Sequence, residues 1–430
     1  MIYWAPFLHF YQPPTQFHAI LQKICNESYR PLLKIFTEQP KAKITVNICG
    51  VLTEMLNDHG ARDIIDGLKQ LALSEKLEFV ESAKYHAILP LMPPDEIHRQ
   101  INLNHKTNEF FFKEAYEVRG FFPPEMCYSN QLASLLSTME YEWMLLGGVA
   151  CPQAWPLELI YKAPLGKKGI NIFYRDDILS NKISFQDIDS KGFIADLTAL
   201  AKDKKDIYVI TAMDAETFGH HIHNWEKVFL EDVYSTLESQ QPAYTNIKQK
   251  TDLAQQHKNI IDTGTNGQIE IVTISELLEH FPVKSSKNPF ASSWSTTKED
   301  IEKKNYYPLW KNEANPIHNL QWEHLNLCLE LVNASKSVAK DKESIHFAEI
   351  ARALLDRAVY SCQFWWANKG RTWDINLVNK GLILQEEVLF NAYKAVISSS
   401  CREDFKKRTY RSLIATRDIA NKIRDLLLKG

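Results

Sequence analysis

Apolar residues along this chain follow two rhythms. Over residues 1–285, short continuous apolar runs alternate with longer stretches of helical spacing, and from about residue 316 onward helical spacing alone remains. The runs at 2–10, 42–49, 76–81, 117–122, 142–147, 207–213 and 268–273 read as strands, with further extended segments near 170–175 and 181–186. Continuous apolar runs suit strands covered on both faces, as in a parallel sheet. Residues 15–37, 61–73 and 94–116 read as helices. In 61–73, Ile64, Ile65, Leu68 and Leu71 make one stripe. The helix at 94 opens on Pro93 and Pro94, with Asp95 and Glu96 behind them. Strand then helix, repeated about seven times, predicts an incomplete TIM-like barrel of the (β/α)7 type over residues 1–285. The eight-stranded form takes ~250 residues.

Residues 286–315 break this rhythm. The segment KSSKNPFASSWSTTKED at 284–300 is rich in Ser, Thr, Asn, Pro and Lys and reads as a junction loop, with Trp294 in its middle suggesting that the loop packs back on other parts of the protein. Residues 316–430 then read as an α-helical domain packing on the barrel. Its helices fall at 318–333, 344–360, 376–398 and 403–428, with spacings that suit an antiparallel bundle. They are interrupted at 361–375 by SCQFWWANKGRTWDI, which holds Trp365, Trp366 and Trp373. Such a loop suits aromatic packing between bundle and barrel, a sugar-stacking wall, or both.

Composition narrows the class. The chain is 45% apolar and 24% charged with a net charge of −3, which argues for neither nucleic acid nor an anionic membrane as partner. Seven Cys are spread along the chain without a CxxC pair, the pattern of reduced thiols rather than a disulfide framework or a Cys-based zinc site. The apolar start MIYWAPFLHFYQPP lacks a basic region and a small-residue cleavage site, so it reads as a first strand. No run approaches the ~18 apolar residues of a membrane span. The expected compartment is the cytoplasm.

Chemistry gathers where the runs end. After the run IYVITAM come Asp214, Glu216, His220 and His221 within a few residues. His9 and Gln12 follow the first run and precede Pro13, His86 follows the third, and Glu125 follows Pro123 and Pro124. In a parallel barrel these strand ends converge on one face. Two carboxylates from distant strands are the minimum equipment for cleaving a glycosidic bond. One of them needs a raised pKa, from burial or from a neighbouring negative charge such as Glu216 beside Asp214. A strand-end Asp also caps helices. Asp214, His220, His221 and His9 could instead hold a divalent ion for amide or ester hydrolysis. HExxH is absent, however, and adjacent histidines point apart.

The ordered set resembles glycoside hydrolase family 57. LHFYQPP at 8–14, YHAILPLMP at 85–93, GFFPPEMCYS at 120–129 and MDAETFGHH at 213–221 are similar to its first four regions, and ASSWSTTKED and YYPLW (306–310) look familial. The resemblance covers residue 8 to about 375. It implies a retaining α-acting glycosidase or transglycosylase, with Glu125 as nucleophile and Asp214 as general acid/base. It further implies α-linked oligo- or polysaccharide as substrate, α-glucan by default, with no metal or organic cofactor. His9, Gln12, His86, Glu216 and His220 are expected around the sugar hydroxyls, and Trp294, Trp365 and Trp366 as stacking faces. Two departures stand out. Ala215 replaces the glycine of the usual Asp-Gly-Glu. Ser361, Cys362 and Gln363 stand where the family has Ser-Asp-Trp, so a carboxylate near the substrate is missing. A metal-dependent carbohydrate deacetylase on a related barrel and a catalytically degenerate carbohydrate-binding protein are the rival readings.

Overall fold

The computed structural model describes residues 1–166, 168–239, 268–369 and 372–429. The strands are β1 (Ile2–Phe10), β2 (Ile44–Ile48), β3 (Leu77–Val80), β4 (Gly120–Phe121), β5 (Trp143–Leu146), β6 (Ile160–Ala163), β7 (Ile170–Tyr174), β8 (Ile207–Asp214), β9 (Ile269–Ile271) and β10 (Val283–Ser285). Two sheets, β3-β2-β1-β8 and β4-β5-β7-β6-β10, supply the wall. At one seam Glu81 bridges to Phe121 in parallel register. At the other, Asp176 N–H donates to the Ile210 carbonyl at 2.8 Å. The parallel strands β1, β2, β3, β4, β5, β7 and β8 thereby form a (β/α)7 ring. β6 runs antiparallel beside β7, and β9 pairs with the start of β1.

Strand alternation explains the two layers of core. Along β1, Ala5 and Phe7 point into the barrel, where they meet Phe122, Trp143, Tyr208 and Ile210. Ile2, Trp4, Leu8 and Phe10 point outward against the helices. β8 alternates likewise, with Tyr208, Ile210 and Ala212 inside and Ile207, Val209 and Met213 outside. Both faces are covered, so both parities are apolar.

Several expectations need correction. Residues 181–186 are not extended, because Asp177–Ser184 is a helix whose N-cap Asp176 accepts from Leu179 N–H at 2.9 Å. The spacing of Leu179 and Ile183 is helical. β6 and β10 are additional strands, and β4 is shorter than 117–122. The helix at 94 ends at Phe112, since Lys113 adopts φ 54°. Helices Gly50–Asp58, Asn130–Thr138 and Ser190–Leu200 are also present. The first helical stretch holds a π-helical turn at Cys25–Tyr29.

Helices Pro316–Val338, Lys342–Ala358, Ile375–Ser398 and Glu403–Lys429 follow the barrel. One buried polar cluster fastens them to it. Arg352 bonds both oxygens of Glu96 at 2.6 and 3.0 Å and Asp356 at 2.9 Å, and Arg99 grips Asp356 with two 2.6 Å bonds. Glu96 and Arg99 belong to the barrel helix Pro94–Phe112, Arg352 and Asp356 to Lys342–Ala358. Among the described residues no helix is long and apolar enough to cross a membrane.

Candidate active site

Register places the first residues of the site. Along β1 the inward parity of Ala5 and Phe7 continues to His9. His9 is paired with Asp214 at the end of β8 and with Asn47 near the end of β2. Three polar side chains thus stand at one level of the barrel mouth. Glu125 reaches the same floor by another route. It follows β4 and the rigid pair Pro123-Pro124, and its backbone is left-handed at φ 59°, ψ 18°. Such a conformation is uncommon outside glycine and is held here by its surroundings. The Glu125 carbonyl accepts from Trp294 N–H at 3.1 Å, and Tyr128 N–H donates to the Ser292 carbonyl at 2.8 Å. The junction segment therefore clamps the loop that carries Glu125.

A cavity of about 1390 Å³ opens above this floor. His9, Gln12, His86, Glu125, Asp214 and Glu216 line it, and Trp294, Trp365 and Trp366 supply aromatic walls. The Trp residues also pack: Trp365 against the core beneath the barrel mouth, Trp366 and Trp373 against the bundle. Within 361–375, residues 370 and 371 lie outside the described residues.

The expectation for His220 is corrected. Gly219 adopts φ +98°, and a Cβ there would come within 1.8 Å of the Glu27 carbonyl oxygen. The turn sends the His220 ring to the Glu27 carboxylate, Nδ1 to Oε2 at 2.7 Å, away from the cavity. His221 lines the rim instead. Ala215 begins a 3-10 turn, Ala215–Thr217, and has no positive φ, so no glycine is needed there.

Glu216 is held rather than free. Gln12 Nε2 donates to its Oε1 at 2.6 Å, and the Tyr29 hydroxyl donates to the same oxygen. Tyr29 ends the π-helical turn. That wider turn alters the register by which helix faces are counted, so periodicity at 3.6 did not single Tyr29 out. Arg175 and Trp155 also line the cavity and were likewise missed. Arg175 follows β7 as Asp214 ends β8, so the strand-end rule could have found it. It donates to the Ala212 carbonyl at 2.7 Å, to Asp177 at 2.8 Å and to Asn181 at 2.9 Å.

Burial raises all three acids, and the charge of Asp214 raises the other two further. Burial and the Asp214 charge push Glu125 from 4.5 up to about 8. Asp214 is raised by burial against the opposing charge of Arg175, and Glu216 by burial and Asp214. Such a floor cannot carry all three negative charges at neutral pH. Cys362 lines the cavity where the resemblance puts a carboxylate, its thiol 3.6 Å from the Tyr11 hydroxyl. Gln363 is structural: its amide N–H groups reach the Ala358 and Tyr360 carbonyls at 2.7 and 2.9 Å. Donor atoms of His9, Cys49 and His86 come within 4.8 Å of one another. There the two imidazole Nε2 atoms already bond each other at 2.9 Å, and burial keeps the Cys49 thiol protonated.

The molecule is thus a (β/α)7 barrel with acids at its strand ends, an aromatic-walled cavity and a C-terminal helical bundle. The sequence matches Glycosyl hydrolase family 57 over residues 6–264, and the chain belongs to that family. Over 230 residues it is 27% identical to an α-amylase of Pyrococcus abyssi, covering 52% of this chain and 34% of that protein. Over 244 residues it is 25% identical to a 4-α-glucanotransferase of Thermococcus litoralis, covering 54% and 36%. In these alignments it spans about a third of the curated relatives' length. Its fold is similar to that of the α-amylase AmyC of Thermotoga maritima, with TM-score 0.66 and 17% identity over 97% of this chain and 98% of that one. A family 57 branching enzyme of Pyrococcus horikoshii gives TM-score 0.66 and 15% identity over 97% and 94%.

Proposed function

We propose that this protein is a retaining enzyme acting on α-linked glucan by double displacement. The observation that carries the reading is the facing pair, Glu125 after β4 and Asp214 at the end of β8, on the floor of one aromatic-walled cavity. Glu125 attacks the anomeric carbon while Asp214 protonates the departing glycosidic oxygen. Asp214 then takes a proton from water or from a sugar hydroxyl, whose oxygen displaces Glu125 with net retention. The charge of Asp214 favours a proton on its neighbour Glu125, so the pair has one proton to share, which is what the first step requires. Positive charge growing at the anomeric carbon favours carboxylate at Glu125 and draws that proton toward Asp214.

The Gln12–Glu216 pair supplies hydrogen bonds to the reacting sugar, while His9 and His86, whose ring nitrogens bond Asn47, each other and Ser361, form the floor beneath it, and Trp294, Trp365 and Trp366 are its stacking faces. The relatives bearing the names α-amylase and 4-α-glucanotransferase support glucan as the substrate class. The test is incubation of a maltooligosaccharide series with wild type and Glu125→Gln, with product sizes read by mass. Shorter products from wild type alone mark a hydrolase, and longer and shorter ones together a transferase. Equal turnover by the Gln variant would sink the nucleophile assignment.

A further inference from the structure

The loops after β5 and β7 give the cavity a second wall. Trp155 comes from the first loop. Ile178, Asn181, Ser184 and Phe185 come from one face of the helix Asp177–Ser184 and its C-cap, while the opposite face buries Leu179 and Ile183. Ile178 and Phe185 are each 71% exposed, and Trp155 39%. Apolar side chains this open, lining a cavity on a helix whose other face is already packed, mark a surface shaped for a ligand. The base of the wall is firm. Val149 N–H and the Arg175 guanidinium both donate to Asp177, at 3.0 and 2.8 Å, which ties the two loops together. Gly148 lies beneath, where a Cβ would come within 2.8 Å of the Arg175 carbonyl oxygen and 3.0 Å of the Trp155 ring. Asn181 Oδ1 accepts from Arg175 at 2.9 Å, so what it offers a hydroxyl is its N–H donors. Place in the ring gives the wall a side. β7 is joined to β8, the strand that ends in Asp214. The charge that reaches Asp214 is that of Arg175, whose following residues build the wall. The Glu125 carboxyl instead faces Ser361 and His86, at 3.4 and 3.7 Å. The departing oxygen leaves on the side of the general acid. The chain attached to that oxygen therefore runs toward Trp155, Ile178 and Phe185. The cavity, about 1390 Å³, exceeds the ~300–1,000 Å³ of pockets that take one small ligand.

We propose that Trp155, Ile178 and Phe185 bind the glucosyl units on the leaving side of the bond that is cut, and so set the length of the fragment released. The proposal deepens the double-displacement reading and rests on it. The ligand is an α-linked oligosaccharide of several units, whose rings turn C–H faces to the apolar side chains and hydroxyl edges to Asn181 and Ser184. In the first step the bond from C1 to the glycosidic oxygen breaks, Glu125 bonds C1, and the departing oxygen takes the Asp214 proton. The released chain still lies on the wall. In the second step an incoming chain takes the same place. Its hydroxyl gives its proton to Asp214, its oxygen bonds C1, and the bond from C1 to Glu125 breaks. The wall thus acts on chain length in both steps and on proton transfer in neither.

The test uses the full chain and maltoheptaose labelled at its reducing end, with fragments read by mass. The labelled fragment is the leaving chain. The variants are Trp155→Ala and the double substitution Ile178→Ser with Phe185→Ser, the latter at positions open enough to spare the core. Wild type is expected to release mainly labelled fragments longer than a single glucosyl unit. Both variants should shift cleavage toward shorter labelled fragments. Both should also lose about 5- to 20-fold more in kcat/KM on maltoheptaose than on α-glucosyl fluoride, whose leaving group is too small to reach the wall. An unchanged fragment pattern or equal losses on the two substrates overturns the proposal. So does a shift toward longer labelled fragments, which would put the wall on the side of the sugar that Glu125 attacks. Failure of the parent reading looks different. Wild type then leaves both substrates unchanged, or Glu125→Gln turns over α-glucosyl fluoride as fast as wild type. Calorimetric titration of maltoheptaose into Glu125→Gln, with and without the wall substitutions, still decides whether the wall binds the chain: weaker binding supports it and equal binding overturns it.

Discussion

The protein buries acidic side chains in two regions and treats them in opposite ways. Where barrel meets bundle, Glu96 and Asp356 are gripped by Arg352 and Arg99 at 2.6 to 3.0 Å, and every acid has a cation. At the barrel mouth, Glu125, Asp214 and Glu216 share a floor on which, among the described residues, no Lys or Arg bonds them directly. Arg175, whose charge reaches Asp214, spends its donors on Ala212, Asp177 and Asn181. The first region uses charge to fix two layers together. The second leaves its acids without a paired cation, as the proposed proton transfers require. Paired burial is a structural device and unpaired burial a chemical one, and the difference is visible in which side chains surround each acid.

Substitutions at the two places should therefore fail differently. Glu125→Gln is expected to lower turnover of maltooligosaccharides on the order of 10³-fold or more, with an unchanged circular dichroism spectrum. Asp214→Asn should cost ~10²–10⁴-fold on ordinary glucan, yet much less in the first step on a substrate with an activated leaving group. Equal loss on both substrates would remove Asp214 from the acid/base role. Arg352→Ala strands Glu96 and leaves Asp356 to Arg99 alone, and should lower unfolding stability by about 3–5 kcal/mol in urea titrations, while folded molecules keep their turnover. If it abolished turnover at full stability, the division of labour drawn here would be wrong.

The mouth also sets a pH dependence of stability. The fold raises Glu125 from 4.5 to about 8, so it favours the acid form. The stabilisation belonging to that form is complete below pH 4.5 and is lost as pH climbs through about 8. Urea midpoints should fall between pH 5 and pH 8.5, by on the order of 2–4 kcal/mol from this residue, and Glu125→Gln should flatten the slope. A wild-type slope retained in the variant would assign it to another group. His220→Ala should change turnover less than about 2-fold, because its ring serves Glu27 at the surface.

Much of this was legible in the chain before any coordinates. β1 and β8 are long continuous apolar runs, and the polar residues closing them, His9 and Asp214, are register partners. The four bundle helices carry unbroken stripes, and their bounds moved by only a few residues. What escaped was local. β6 is four residues with a lysine in it, too short for periodicity to register. The helix at 177–184 depends on a single capping carboxylate, Asp176. His220 and His221 are neighbours whose roles are decided by the φ of Gly219, an angle that sequence does not display. Cys49 and Tyr11 join the mouth through bonds to Asn47 and Cys362, contacts that only the closed barrel brings together.

The left-handed backbone at Glu125 carries one more lesson. Met126 beside it also has a positive φ, 51°. Judged by main-chain comfort alone, glycine would be the better resident at 125, since it takes that angle without penalty. A designer asked to make the sturdiest version of this barrel would write glycine there, and would erase the residue on which the proposed chemistry turns. The strain at that position is a signature that something other than robustness chose the side chain.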